Sequence, residues 1–149
     1  MKFKRMAIGM PVLLIIIFAA FVSPISADDA RFTIKDGVIT DARTGLQWVS
    51  APERPMNHYQ AEQYARSLTI AGGGWRLPAL AEVKGICDDR QPGGADPKFR
   101  INGHLVWVSE IVDVRYAGLV RFGSGCADSA AARDTLLDYL RVLAVRVKR

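Results

Sequence analysis

The sequence predicts a single α+β domain, and three observations carry that expectation. Strand-like segments lie at both ends of the folded part of the chain, over 32–49 and 105–147. Two segments with helical apolar spacing lie between them, and breaks rich in Gly, Pro or Asp separate the pieces. Strands, two helices, a long loop and strands again is the order of an α+β domain; the strand–helix alternation of a parallel sheet is missing.

The N-terminus has a different character. Lys2, Lys4 and Arg5 precede 17 uncharged, mostly aliphatic residues, 6–22, and Pro24 and Ile25-Ser26-Ala27 follow. This is the grammar of a secretory signal peptide with cleavage after Ala27. The expected organisation is therefore a signal peptide, 1–27, and one exported domain, 28–149, in the periplasm, secreted or on the cell surface. The alternative is an uncleaved anchor, since 17 residues is the lower limit of a spanning helix; Gly9 and Pro11 early in the run favour cleavage. Contact with the membrane is expected only through that segment, and no Cys follows it to carry a lipid. Without it the net charge falls from +5 to +2. So slight an excess is not the basic footprint of a nucleic-acid binder, and no nucleic-acid partner is expected.

Within the domain, Phe32, Ile34 and Val38 alternate around Asp36-Gly37, a tight-turn dipeptide, and a second turn at 41–45 leads to the short strand Leu46-Gln47-Trp48-Val49. Asn57 can cap a helix reaching about residue 70, with Ala61, Tyr64, Ala65 and Leu68 on one face; Gly72-Gly73-Gly74 ends it. A second short helix is expected over 80–87, with Leu80, Val83 and Cys87 inward and Ile86 beside them. Residues 88–103 read as a long, functional or mobile loop. Strands are expected at Leu105–Ile111 and 114–122, a short helix or irregular excursion at 130–139, and a closing strand at 140–147.

No catalytic constellation emerges, so the expectation is a non-catalytic protein without cofactor or metal. Cys87 and Cys126 are expected to form a disulfide in an oxidising compartment, closing a loop worth about 3–4 kcal/mol. His58 and His104 have no partners at the spacing of a zinc or nucleophile site and read as surface or boundary residues. Arg146 and Lys148 share one side of the last strand, and Arg115 and Arg121 are evenly spaced on a preceding one. If those strands pair, the four side chains form a basic stripe for sulfate, carboxylate or phosphate groups; scattered edge charges against aggregation are the alternative.

Asp41…Thr44-Gly45-Leu46-x-Trp48, Ala61…Leu68, Gly74-Trp75-Arg76-Leu77-Pro78…Glu82-Val83, Val106-Trp107-Val108-Ser109 and Val142…Val145-Arg146 follow one pattern in one order. The pattern resembles the Lcl C-terminal domain family, bacterial exported modules of largely unknown function, which is similar to the C-type lectin fold. The resemblance implies two helices on small antiparallel sheets with a long irregular loop. A lectin-type scaffold bare of catalytic residues and with a candidate basic face is expected to bind rather than catalyse: an anionic polysaccharide or another envelope component, or, alternatively, a protein partner docked by the long loop. Gly45, Trp48, Trp75, Arg76, Pro78 and Trp107 read as structural, as turn, core and helix-entry residues, with Arg76 paired to Glu82 or Asp41 or free for a ligand. The chain departs from the family where a small hydroxyl residue is replaced by Ala79, removing half a capping box, and where a cysteine pair is replaced by Ala65 and Ala144. Gln91-Pro92-Gly93, near Asp88, Asp89 and Asp96, resembles a fragment of a lectin calcium motif, but Gly93 has no coordinating side chain, and a solvated acidic loop is expected instead.

Overall fold

The computed structural model describes residues 31–101, 105–123 and 125–148. The expected signal segment and His104 lie outside them.

Strands β1 (Phe32–Lys35) and β2 (Val38–Asp41) form a hairpin. Its two turn residues, Asp36 and Gly37, have φ of 50° and 79°, as a two-residue turn that follows the strand twist demands. The next turn is organised by Asp41, which is buried and accepts hydrogen bonds from Arg31 Nη2 (2.9 Å), Arg43 N (2.9 Å) and Thr44 Oγ1 (2.8 Å). Burial pushes the Asp41 carboxyl up, but these hydrogen bonds outweigh it and hold it below the usual carboxylate range. Strand β3 (Leu46–Ser50) follows, and the last strand of the chain returns beside it, giving a first antiparallel sheet.

Helix α1 (His58–Ser67) starts at the expected cap: Asn57 Oδ1 accepts from Gln60 N, and Gln60 Oε1 accepts from Asn57 N. Helix α2 (Leu80–Gly85) solves the missing hydroxyl at Ala79 by a long-range route. Glu82 accepts from Ala79 N at 2.7 Å, and the Leu80 N–H is taken by the carboxylate of Glu110, 30 residues away, at 2.8 Å. Arg76 pairs with Glu82 at 2.7 Å and not with Asp41.

The second sheet contains β4 (Leu105–Ile111), β5 (Tyr116–Arg121), β6 (Ala127–Ala132) and β7 (Leu140–Arg141) in the order β6-β5-β4-β7, antiparallel except for β7 beside β4. The expected helix or excursion over 130–139 is replaced at its start by β6. The alanines there favour a helix locally, but six consecutive pairs with β5, from Tyr116↔Ala132 to Arg121↔Ala127, override that preference. The final strand, expected over 140–147, divides into β7 and β8 (Leu143–Val147), one in each sheet.

Both sheets bury both faces at their centres. In β3, Trp48 enters one core and Val49 the other; Val145 and Ala144 of β8, Val106 and Trp107 of β4, and Val120 and Leu119 of β5 divide in the same way. One core gathers Trp48, Phe99 and Phe32 edge to face, with Val83 of α2 and Ile86 just after it. The other receives Ala61 and Ala65 of α1, Trp75 and Trp107. Ala65 and Ala144 are both fully buried in that second core.

The described part of the long loop is tied to the rest of the fold at several points. Cys87 and Cys126 are joined by a disulfide, Asp89 accepts from Gly125 N at 3.2 Å, and Phe99 and Ile101 are buried. At Gly94, whose φ is 80°, a Cβ would meet Gly123 N at 2.5 Å, so the loop and the β5–β6 connection touch backbone to backbone.

Candidate functional site

The four basic residues expected on one stripe are separated by the sheet topology. Strand β5 lies between β4 and β6 in the second sheet, whereas β8 lies beside β3 in the first. The premise that their strands pair is therefore corrected. Arg115 lies in the loop before β5 and Arg121 at its far end, about 20 Å away at the rise of a strand.

Arg146 is in the interior, 8% exposed. Its guanidinium donates to Gln47 Oε1 from Nε (2.9 Å) and Nη2 (2.7 Å), and from Nη1 to the carbonyls of Gly73 (2.7 Å) and Ala71. It also lies 4.7 Å from the centre of the Trp75 ring. Gly72, Gly73 and Gly74 all have positive φ, which lets the 3-10 turn Ile70–Gly72 and the residues after it present those carbonyls inward.

This arrangement builds a site above Arg146. Register places Thr33 opposite Thr40, Thr40 opposite Gln47 and Gln47 opposite Arg146, a polar row across all four strands of the first sheet. Lys35 is two residues beyond Thr33 and Lys148 two beyond Arg146, so both project on the same side. Together with Asp36, Val38, Ile70 and Ala71 these residues line an open groove of about 510 Å³, in which Arg146 acts from below. A guanidinium has only donors, so it fixes the Gln47 oxygen toward itself and turns the amide nitrogen toward Thr40 Oγ1 (3.5 Å) and the groove. The groove thus offers amide, hydroxyl and ammonium donors and a single carboxylate, Asp36. Of the expected ligand residues, Lys148 lines it directly and Arg146 orients its floor.

Arg115 contributes to a second groove of about 500 Å³, with Tyr59, Val114, Tyr116, Ala132, Arg133 and Asp134. Arg133 stacks over Tyr59 at 4.1 Å, and Arg115 lies 6.0 Å from the Tyr116 ring centre. Beside it the β4–β5 connection exposes Val112 (62%) and Val114 (87%). Arg121 lines neither groove.

The acids of the long loop are engaged individually: Asp88 by Arg90 (2.9 Å), Asp96 by Lys98 (3.3 Å) and Asp89 by the Gly125 N–H. Asp88, Asp96 and Arg31 help to line a small cleft of about 130 Å³ beside the disulfide, where Arg31 is itself committed to Asp41 and to the Gly85 carbonyl. Among the described residues, no group of three or more His, Cys, Asp or Glu side chains is placed to hold a metal ion.

His58 is not the surface or boundary residue the sequence suggests. It is fully buried, with Nε2 3.1 Å from the Val108 carbonyl and its ring edge-on to Trp107. Its Nδ1 has no hydrogen-bond partner among the described residues. Burial pushes its pKa down, more than the Val108 hydrogen bond raises it. The first helical turn is an exposed place on average; here the opening of α1 faces β4, which sequence spacing does not reveal. Gln47, Thr33, Thr40 and Lys35 were also missed: strand alternation marks them as one face, but only the register brings them beside Arg146 and Lys148.

The structural motif residues lie in turns, in the two cores and at the entry to α2. Gly45 has φ of 72° in its turn, and Trp48 is fully buried. The indole N–H of Trp75 donates to the Ile70 carbonyl (2.9 Å) and that of Trp107 to the Met56 carbonyl (2.9 Å). Pro78, just ahead of α2, offers its carbonyl to Ser109 N at 2.8 Å.

No curated protein matches the chain. A family model, that of the Lcl C-terminal domain, matches residues 37–146, a span that includes strands β2 to β7, all but the last residue of β8, both helices and the disulfide. The chain therefore belongs to the Lcl C-terminal domain family.

Proposed function

We propose that this is an exported, non-catalytic binding module of C-type-lectin type that holds an anionic polysaccharide in the groove of the first sheet. The observation that carries the reading is the Arg146–Gln47 fork. It sets the donor side of a side-chain amide into a groove flanked by Lys35 and Lys148 and holding one acid, Asp36. Threonine hydroxyls and an amide suit sugar hydroxyls, the two ammonium groups suit carboxylate or sulfate, and Val38 and Ile70 provide apolar walls for the ring faces. On this reading the groove's own amide, hydroxyl and ammonium donors hold the ligand, without metal or cofactor. Two regular sheets, two helices and a loop stapled by a disulfide agree with the lectin-type assignment and with an oxidising compartment.

The test is binding of the exported protein to sulfated and uronic oligosaccharides, with and without chelator and across a salt series. Wild type binds with an affinity that falls with salt and ignores chelator; Lys35→Gln with Lys148→Gln weakens it about tenfold or more, and Arg115→Gln leaves it unchanged. Equal binding by wild type and the double lysine variant would sink this reading, and loss of binding with chelator would move the site to the acidic loop.

A second reading has an observation of its own. The exposed Val112 and Val114 beside the Tyr59–Tyr116 groove form an apolar protrusion of the kind that a protein partner covers. Under that reading the domain is an interaction module of the envelope, docking through the β4–β5 connection rather than through the pinned long loop.

A further inference from the structure

We propose that β6 is the interface with a second copy of this chain, the two β6 strands pairing antiparallel across a two-fold axis. The groove of the first sheet plays no part in this, so the two proposals stand or fall separately.

Strand β6 is paired with β5 along its whole length and is the edge of the second sheet. On its outer side, no further backbone hydrogen bond reaches residues 127–131 among the described residues. An edge of this kind leaves alternate N–H and C=O groups open to another strand, and proteins ordinarily block it with lysine, proline, a bulge or a covering segment. Strand β6 has none of these: its sequence is Ala-Asp-Ser-Ala-Ala-Ala and its register with β5 is unbroken. Its one charge, Asp128, is already held by Lys84 at 2.6 Å. The other edges differ. The outer side of β8 is met by Arg76, which exchanges both backbone hydrogen bonds with Val145 (3.1 and 2.9 Å). Strand β7 has only two residues, and β1 ends in Lys35.

The occupant follows from the side chains. A foreign peptide added to an edge is selected by pockets for its alternate side chains, and a row of alanines and one serine forms no pockets. What remains is backbone complementarity, and an antiparallel edge is complementary to itself. Charge restricts the register: Asp128 against its own copy is repulsive. A two-fold axis through Ala130 sets that residue opposite its own copy and Asp128 opposite Ala132 of the partner, and brings only small side chains together. The product is one continuous sheet made of the two four-stranded sheets. Six residues on each side bury well under the roughly 1,000 Å² of a robust interface, so the dimer depends on concentration.

The test is sedimentation velocity on the exported protein over a concentration series, with Ala130→Lys and Ala130→Glu as variants. Residue 130 lies at the two-fold axis, so like charges there face each other and opposite charges attract. Wild type shows concentration-dependent dimer, and each variant alone weakens it about tenfold or more. An equimolar mixture of the two variants restores dimer to near the wild-type level. That rescue separates the interface from any folding defect, and matching thermal unfolding curves check the fold directly. A wild type that stays monomeric to about millimolar concentration overturns the proposal. So does a dimer that persists in both variants, or a mixture that fails to recover.

Discussion

Arg146 and Arg115 belong to the same residue type and lie on strands or strand ends that the sequence treats alike, yet their surroundings are opposite. Arg146 enters a sheet whose neighbouring strand and overlying glycine turn supply three acceptors and an aromatic face. Arg115 sits in a connection beside exposed valines, 6.0 Å from the centre of one tyrosine ring. The first arginine organises the floor of the candidate groove without lining it; the second stands on the surface beside exposed side chains. The lesson is that a basic residue in a strand becomes structural or available according to the strand beside it, and its own sequence neighbours carry little of that information.

The comparison can be broken most severely by removing what holds the frame. Cys87→Ser with Cys126→Ser frees the loop from the β5–β6 connection and is expected to lower stability by about 3–4 kcal/mol in urea unfolding. Arg146→Ala comes next, at about 3 kcal/mol, because the carbonyls of Ala71 and Gly73 and the Gln47 oxygen lose a charged donor together. Arg115→Ala is expected within about 0.5 kcal/mol of wild type in the same measurement. Similar losses for the two arginines would dissolve the contrast drawn between them.

A smaller effect sharpens it from the side of α2. Glu110→Ala removes the carboxylate that caps Leu80 N and should cost about 1 kcal/mol, while Glu110→Ala with Ala79→Ser should recover about half of that, since a serine at the cap position serves the same end of the helix. Urea midpoints of the single and double variants decide it.

The smallest expected effect is on pH dependence. His58 is buried and its folded pKa is lowered, so the unfolded chain binds the proton more readily. Its contribution to stability is complete above the ordinary histidine value near 6.5 and is lost as pH falls from there toward the lowered folded value. Asp41 and Glu82 are also lowered, but as carboxylates they act further down, below their ordinary values near 4. Stability should therefore decline between about pH 6.5 and pH 5 in wild type and stay flatter there in His58→Gln, measured by thermal unfolding at fixed ionic strength. An identical slope in both proteins would show that His58 is not the group responsible.

Much of this molecule was written locally. The Asp36-Gly37 turn, the Asn57 cap, the glycine run after α1, the buried tryptophans and the α+β order all follow from turn chemistry and periodicity within a few residues, and the Thr-Gly-Leu-x-Trp and Trp-Arg-Leu-Pro motifs place the chain in its family. Pairing of Cys87 with Cys126 was also legible, because the export expected from the N-terminal segment leaves two thiols little else to do. What the sequence could not decide was anything that depends on which strand lies beside which. The alanines of β6 favour a helix until β5 supplies a ladder for them. The glutamate that caps α2 lies 30 residues away. His58 looks like a surface residue until β4 covers it. The candidate groove exists only because register sets Thr33, Thr40, Gln47 and Arg146 in one row. Local propensities amount to tenths of a kcal/mol per residue, whereas pairing and burial act across the whole element, so tertiary contacts decide wherever the two disagree.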